Sequence, residues 1–241
     1  MRFLSVRQRH FNTISRAAAS ILCFTSSFTV AHSGEIDMLL FGSLDGGAAT
    51  FVTAGTKIGL PSLNSDGPVA LASLGGGRQS ERGPDGMRQR YTAIGAVVLG
   101  YQWFFDWGVA AAFAGPEATA QMLADSLGPV LQPARFGLRL HGEVWARPTA
   151  KTLIEATVIA GTALDSVWAR AAWGYHLWGA YLGPEVGFYT DASGYRKWSL
   201  GVHGTDFDLG PFSFRVSVGV QSESDRRAAG PYMALAVWSP W

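Results

Sequence analysis

The sequence predicts an all-β fold, namely a transmembrane antiparallel β-barrel of about 12 strands that follows a cleavable signal peptide. Three observations predict it: an N-terminal segment typical of export, short segments in which apolar and polar residues alternate, and aromatic residues near the ends of those segments. The composition agrees, since 30 glycines and only 15% charged residues in a chain of 241 describe a strand-rich, charge-poor protein.

Residues 1–33 are expected to be the signal peptide, and residues 34–241 the barrel. Four arginines are followed by a mostly apolar run from Ala17 to Val30, and the small residues Ala31 and Ser33 suit cleavage after Ser33. The apolar run is shorter than the ~20 residues that a membrane-spanning helix needs, so the segment is not expected to be an anchor.

Cys23 is the only cysteine of the chain, and it lies in the expected signal peptide. The residue before it is Leu22, where a lipid-attachment site has a small residue, so lipidation is not expected. The mature chain would then contain neither a disulfide nor a thiolate metal site.

The formal net charge of +1 includes the four arginines of the signal peptide. Without them, 15 basic residues face 18 acidic ones. No basic patch remains that would favour nucleic acid as a partner. The expected partner of the apolar strand faces is the lipid of the outer membrane.

Alternating segments of about ten residues, separated by turn residues, follow one another along most of the chain. Twelve are predicted, an even number, as is usual for single-chain bacterial barrels. They cover residues 36–46, 50–60, 68–77, 90–101, 107–118, 135–146, 151–162, 167–178, 179–190, 195–204, 211–221 and 231–239.

The lengths of the gaps between segments agree with a barrel whose N-terminus is periplasmic. Outward loops are usually the longer ones. The three longest gaps, residues 78–89, 119–134 and 222–230, all fall on the outward side. We therefore expect three long surface loops there.

The residues from Phe212 to Gln221 alternate between apolar and small or polar positions without interruption. The segment from Arg135 to Trp145 divides in the same way, with mostly apolar even-numbered positions. In a soluble sandwich the polar face would meet water, whereas in a barrel it lines the lumen. The periodicity of one strand does not separate these alternatives.

The positions of the tryptophans favour the barrel. Aromatic residues near strand ends form a girdle at each membrane interface, whereas ordinary core tryptophans are the simpler alternative. The expected girdle residues are Trp103, Trp107, Trp145, Trp178, Trp238 and Trp241.

Glu117 and Glu185 each follow a Gly-Pro pair in two similar segments, Ala112–Glu117 and Ala180–Glu185. A carboxylate is costly against lipid, so both are expected to face the lumen or the membrane interface, where they could pair with Arg135, Arg139, Arg170 or Arg215. The network is either structural or in contact with a ligand, and Pro116 and Pro184 predict irregular strand pairing. Its predicted members are Glu117, Glu185, Arg135, Arg139, His141, Glu143, Arg170 and Arg215.

No catalytic, cofactor-binding or metal-binding residue is predicted. The histidines of the barrel lack metal-ligand spacing. Ser199 and His203 would share a strand face but lie roughly 13 Å apart at ~3.3 Å per residue, too far for a nucleophile and its base. A serine–histidine pair drawn from different strands stays open. The glycines at 75–77 lack the Gly-Lys-Ser/Thr of a phosphate loop.

Several motifs resemble a known family. They are Phe-Val-Thr-Ala-Gly at residues 51–55, Lys-Ile-Gly-Leu at 57–60, Gly-Tyr-Gln-Trp at 100–103 and Ala-Phe-Ala-Gly-Pro-Glu at 112–117. With these, the chain from about Asp37 to Trp241 resembles the cellulose biosynthesis protein BcsS family of α-proteobacteria. The resemblance implies an outer-membrane protein that accompanies a cellulose synthase system, with no catalytic residues to carry over. Ser239 and Pro240 depart from the usual alternating barrel ending.

The leading hypothesis is a non-catalytic outer-membrane barrel that is accessory to the biosynthesis, export or surface anchoring of cellulose or a related exopolysaccharide. Its implied partners are cellulose and other cellulose synthase components. Side chains can fill much of a lumen of this size, so anchoring ranks above transport. The alternatives are a small-solute pore, an outer-membrane enzyme acting on lipid or glycan, and a soluble periplasmic β-protein.

Overall fold

The computed structural model describes residues 38–60, 62–83, 86–126, 128–225 and 228–241. The expected signal peptide, with Cys23, lies outside these residues. Among the described residues, no helix is long and apolar enough to cross a membrane.

The described chain is built from antiparallel strands. Their bounds are β1 Met38–Gly46, β2 Ala49–Gly59, β3 Gly67–Gly83, β4 Gly86–Phe105, β5 Gly108–Asp125, β6 Gly128–Leu131, β7 Arg135–Thr149, β8 Thr152–Gly161, β9 Ser166–Leu177, β10 Ala180–Thr190, β11 Arg196–Leu209, β12 Phe212–Glu223 and β13 Gly230–Pro240.

Twelve of these strands close into a ring. Apart from β6, strands that follow one another in the chain pair with each other. β5 pairs with both β4 and β7, and β1 pairs with β13 to close the ring. The four-residue β6 pairs only with the end of β5 and stands outside the ring. The prediction of an all-β antiparallel barrel with twelve strands is therefore confirmed.

The barrel has two distinguishable ends. Met38 and Trp241 exchange two backbone hydrogen bonds, with N···O distances of 3.1 and 2.7 Å, at what we call the terminal end. The opposite end, which carries the β1–β2, β3–β4 and β12–β13 connections, is called the distal end.

Side chains of the ring alternate between the lumen and the exterior. On β7, Phe136 is 80% exposed whereas Arg139, three positions along, is 9% exposed. On β12, Val218 and Val220 are exposed, and Arg215, Ser217 and Gln221 are buried. The apolar faces point outward and the polar faces inward, the reverse of a soluble protein.

Two of the three expected surface loops are largely strand. β3 continues to Gly83 and β4 begins at Gly86, with Arg78 opposite Tyr91 and Glu81 opposite Arg88. Residues 119–134 likewise contain the end of β5 and all of β6. The prediction treated polar residues as a sign of a loop. Strands that extend beyond the lipid-facing apolar band of a barrel can also carry polar residues on their outer face. The third expected loop agrees, since β12 ends at Glu223 and β13 begins only at Gly230.

Of the six expected girdle tryptophans, four take the exposed positions that a girdle requires and two do not. Trp103, Trp107, Trp178 and Trp241 are exposed near the terminal end. Trp145 and Trp238 instead occupy inward positions, because they share strand parity with the lumen residues Glu143 and Ala234. A position near a strand end does not decide which face a side chain takes.

Many inward glycines lie beneath aromatic side chains of neighbouring strands. Phe41 crosses Gly55, Phe51 crosses Gly75 and Gly77, and Tyr232 crosses Gly201 and Gly219. A Cβ atom at Gly55 would lie 2.4 Å from Phe41 Cζ and 2.5 Å from the Ala72 carbonyl oxygen. The glycine content thus leaves room for rings that lie flat against the barrel wall.

Replacing Gly55 by alanine is expected to lower the free energy of unfolding by about 1–3 kcal/mol, because the added methyl overlaps backbone as well as a ring. Gly42→Ala is the matched control, since its Cβ would make only ordinary contacts at 3.6 and 3.7 Å. Urea unfolding of both variants in detergent measures the difference. Equal stability of the two variants would contradict this packing.

Candidate functional site

The lumen holds the buried polar residues that the sequence singled out. Glu117, on β5, accepts a hydrogen bond from Arg139 Nε at 3.1 Å and another from the Ala163 backbone N–H at 3.0 Å. Arg139, on β7, also donates to Ser73 Oγ on β3 at 3.3 Å. This group therefore links three strands and the β8–β9 connection in the distal half of the barrel.

Glu185 is the centre of a second group. It accepts hydrogen bonds from Arg215 at 2.5 Å, from the Tyr232 hydroxyl at 2.6 Å and from Ser217 Oγ at 3.0 Å. Arg215 also forms an ion pair with Glu155. Because Glu155, Glu185 and Arg215 lie on β8, β10 and β12, one guanidinium joins strands that are not neighbours in the ring.

The two Gly-Pro-Glu segments place their glutamates in the same way. At Pro116 and at Pro184 the ladder to the preceding strand lacks two pairs, yet the register on either side of the gap is unchanged. The pairing is irregular, as predicted, but without a bulge. Gly115 and Gly183 sit so close to the neighbouring backbone that a Cβ would lie 2.4 and 2.0 Å from a carbonyl oxygen.

A third group crosses the lumen between β2 and β7. The Lys57 ammonium donates to Glu143, and it also lies 5.4 Å from the centre of the Phe113 ring. His141 Nε2 is 3.8 Å from the other oxygen of Glu143. The ion pair joins strands four places apart in the ring.

Trp145 and Trp238 meet across the full width of the barrel. Their strands, β7 and β13, are six places apart in a ring of twelve and so lie diametrically opposite. The ring centroids are 5.9 Å apart, with an edge-to-face angle of 76°. This contact leaves no continuous passage along the line that joins the two strands.

The β2–β3 connection narrows the terminal end further. A Cβ at the inward Gly59 would lie 2.3 Å from the Ser62 carbonyl carbon, so the connection folds back over the barrel wall. The buried Gln102 donates hydrogen bonds to the carbonyl oxygens of Ser62 and Ser65, at 3.2 and 2.8 Å. Leu63 packs against an apolar cluster that includes Val69, Val98 and Phe113.

Two members of the predicted network stand apart from these groups. Arg135 is exposed at the distal start of β7 and forms no ion pair with any described residue. Arg170 lies over the Trp168 ring, 5.5 Å from its centre, and it too has no ionic partner among residues 38–60, 62–83, 86–126, 128–225 and 228–241.

Sequence reasoning missed several residues that complete the groups. Glu155 and Lys57 have the same strand parity as their inward neighbours, so alternation could have placed them in the lumen. Alternation could not identify the partners, because Lys57–Glu143 and Trp145–Trp238 join strands far apart in the ring.

The described part of the chain offers no group of three or more His, Cys, Asp or Glu side chains arranged to hold a metal ion. His203 uses both ring nitrogens, at 2.7 Å from Thr205 Oγ1 and 3.1 Å from the Trp173 carbonyl oxygen. In the β10–β11 connection, burial and the nearby carboxylates of Glu223 and Asp225 raise the pKa of the Tyr195 phenol, so it remains protonated at neutral pH.

Arg215→Met is expected to lower the free energy of unfolding by about 3–5 kcal/mol, since it leaves two buried carboxylates without a counter-charge. Adding Glu155→Gln and Glu185→Gln should restore most of the loss, because the remaining groups are then neutral. Urea unfolding in detergent measures both effects.

The matched control for that experiment is Arg196→Met, which removes an exposed arginine at the distal start of β11. Its effect should stay within about 0.5 kcal/mol. A similar small loss for Arg215→Met would contradict the central role of the buried ion pairs.

Comparison with known proteins gives one family and several distant folds. No curated protein matches the chain. The β-domain of the Bordetella autotransporter BrkA is similar with a TM-score of 0.48 and 14% identity, over 86% of this chain and 99% of that one. The translocator domain of NalP from Neisseria meningitidis is similar with a TM-score of 0.47 and 13% identity, over 85% of this chain and 88% of that one.

The KdgM porin, in complex with disordered oligogalacturonate, gives a TM-score of 0.43 and 9% identity, over 83% of this chain and 98% of that one. The sequence model of the cellulose biosynthesis protein BcsS family matches residues 39–241. The chain therefore belongs to the cellulose biosynthesis protein BcsS family.

Proposed function

We propose that this protein is an outer-membrane barrel that serves cellulose biosynthesis as a non-catalytic accessory, retaining polymer or synthase components at the cell surface. Membership of the cellulose biosynthesis family supports the process. The exterior supports the location, because exposed Leu, Val and Ile side chains cover it and exposed tryptophans mark its terminal end.

The observation that carries the accessory role is the crossed lumen. Arg215 joins three strands, Lys57 reaches Glu143, and Trp145 touches Trp238 from the opposite wall. A glucan strand needs a continuous channel wider than one sugar ring, and each of these contacts would have to open to let it pass. Retention at the surface requires no such opening.

The same contacts weigh against a small-solute pore. Porins of 16–18 strands leave an aqueous channel, whereas side chains fill the interior of eight-stranded barrels. A barrel of twelve strands falls between these cases, so the side chains that line the lumen determine whether it forms an open channel. Here they form buried ion pairs instead of a solvated lining, with Arg215 only 2% exposed.

The native barrel is expected to give no stable conductance steps in planar bilayers. A variant with Lys57, Glu143, Trp145 and Trp238 all changed to alanine should conduct, because it removes two of the cross-lumen contacts. Single-channel recording after reconstitution measures both proteins.

The control for that recording carries four alanines on the lipid-facing surface, at Leu138, Leu140, Val158 and Trp173, and should remain silent. Heat-modifiable gel mobility checks that all three proteins are folded. Stable open channels in the native protein would favour the small-solute pore.

Deletion of the protein should lower the fraction of cellulose that stays attached to the cell, while total extracellular cellulose persists. Enzymatic digestion with cellulase, applied separately to washed cells and to medium, measures the two fractions. Complete loss of extracellular cellulose would instead indicate a conduit, and unchanged fractions would exclude a role in cellulose retention.

A further inference from the structure

The exterior of the barrel carries aromatic side chains at two levels. Trp103 lies near the terminal end of β4, and Tyr91 lies on the same outward face, twelve residues nearer the distal end. At ~3.3 Å per residue, on strands tilted by ~40°, this separation spans roughly 30 Å along the barrel axis. Since aromatic girdles flank an apolar band of ~25 Å in outer-membrane barrels, Tyr91 would lie at the distal interface of the membrane.

Trp198 marks the distal level on the opposite side of the ring. It lies near the distal start of β11, it is exposed, and its ring packs against Phe188 on β10 with the centroids 4.4 Å apart. Because β4 and β11 are six places apart in a ring of twelve, Tyr91 and Trp198 face the membrane from opposite sides.

An outward arginine accompanies each of these two aromatic residues. Arg78, on β3, lies directly opposite Tyr91 in the β3–β4 ladder, and Arg196 precedes Trp198 by two positions on β11. Both arginines are exposed, and each shares strand parity with an exposed leucine four residues nearer the terminal end. Neither guanidinium forms a hydrogen bond or an ion pair with a described residue.

The exterior of the distal rim therefore carries positive charge. In the distal half of the ring, the strand carboxylates with described side chains, such as Asp45, Glu81 and Glu223, share the parity of lumen residues instead. An arginine at a membrane interface extends its guanidinium to the level of the lipid headgroups. Phosphate is the headgroup that a planar guanidinium binds best, through two parallel hydrogen bonds.

The lengths of the connections identify the leaflet. At the terminal end, the β4–β5, β7–β8, β9–β10 and β11–β12 connections have two residues each. At the distal end, the β10–β11 connection has five, and β3 and β4 continue well beyond Tyr91. Outer-membrane barrels place their short turns in the periplasm and their longer connections outside. The distal rim thus corresponds to the outer leaflet.

We propose that Arg78 and Arg196 bind the phosphate groups of an anionic glycolipid in the outer leaflet, at two separate places on the barrel exterior. Tyr91 and Trp198 hold the rim at the interface, so that each guanidinium stays at headgroup level. This inference rests on the outer-membrane location in the proposed function, and it adds the chemical class of lipid that the distal rim selects.

The test is a native mass-spectrometry titration of the folded barrel, in a neutral detergent, with diphosphoryl lipid A and with its dephosphorylated form. The native barrel should prefer the diphosphoryl form. Arg78→Gln combined with Arg196→Gln should weaken binding of that form about fivefold at each place, the contribution of one arginine near an anionic lipid surface.

The matched control is Arg147→Gln combined with Lys151→Gln, which removes two exposed positive charges at the terminal end. It should bind diphosphoryl lipid A as the native barrel does. Heat-modifiable gel mobility checks that both variants are folded.

Equal binding of the two lipid forms by the native barrel would overturn the proposal, because the phosphates would then contribute nothing. An equal loss in the distal variant and in the control would also overturn it, since net charge and not position would then be responsible. Cell fractionation separates this failure from that of the proposed function. A barrel recovered in the outer membrane keeps its proposed location even when neither arginine selects phosphate.

Discussion

The ion pairs that Arg215 forms with Glu155 and Glu185 organise the interior of this barrel. Two buried carboxylates on different strands require a nearby cation, and the planar guanidinium can pair with both at once. The small residues on the intervening strands, Ala172 on β9 and Gly201 on β11, lie beside Glu185 in the ladder and leave room for this contact. Removing the cation would leave both carboxylates desolvated and unpaired.

The position of these contacts divides the lumen into two parts with different uses. Toward the terminal end, the folded-back β2–β3 connection and the Trp145–Trp238 contact fill the space. Toward the distal end, on the side of β1 and β11 to β13, space remains and its polar groups face a cavity. The filled terminal half and the open distal half agree with the accessory role proposed above.

Period-two alternation predicted most of the fold, because in a closed antiparallel ring successive residues point alternately to the lumen and to the exterior. Arg139 and Arg215 were placed inside on that basis, and charge predicted that Glu117 and Glu185 pair with inward arginines without choosing among Arg135, Arg139, Arg170 and Arg215. Alternation failed at two places. The β3–β4 hairpin is mostly polar where it extends beyond the apolar band, and Trp145 was assigned by its place near a strand end. Contacts such as Lys57–Glu143 depend on ring size and strand tilt, which no local pattern contains.

A double-mutant cycle on Trp145 and Trp238 tests the crossed lumen most directly. Urea unfolding of Trp145→Ala, Trp238→Ala and the double variant gives the coupling energy between the two side chains. Direct contact between opposite walls predicts a coupling of about 0.5–1.5 kcal/mol, the value of an aromatic pair beyond its area burial. Additive losses, equal within about 0.3–0.5 kcal/mol, would mean that the two rings do not touch and that the passage between them is open.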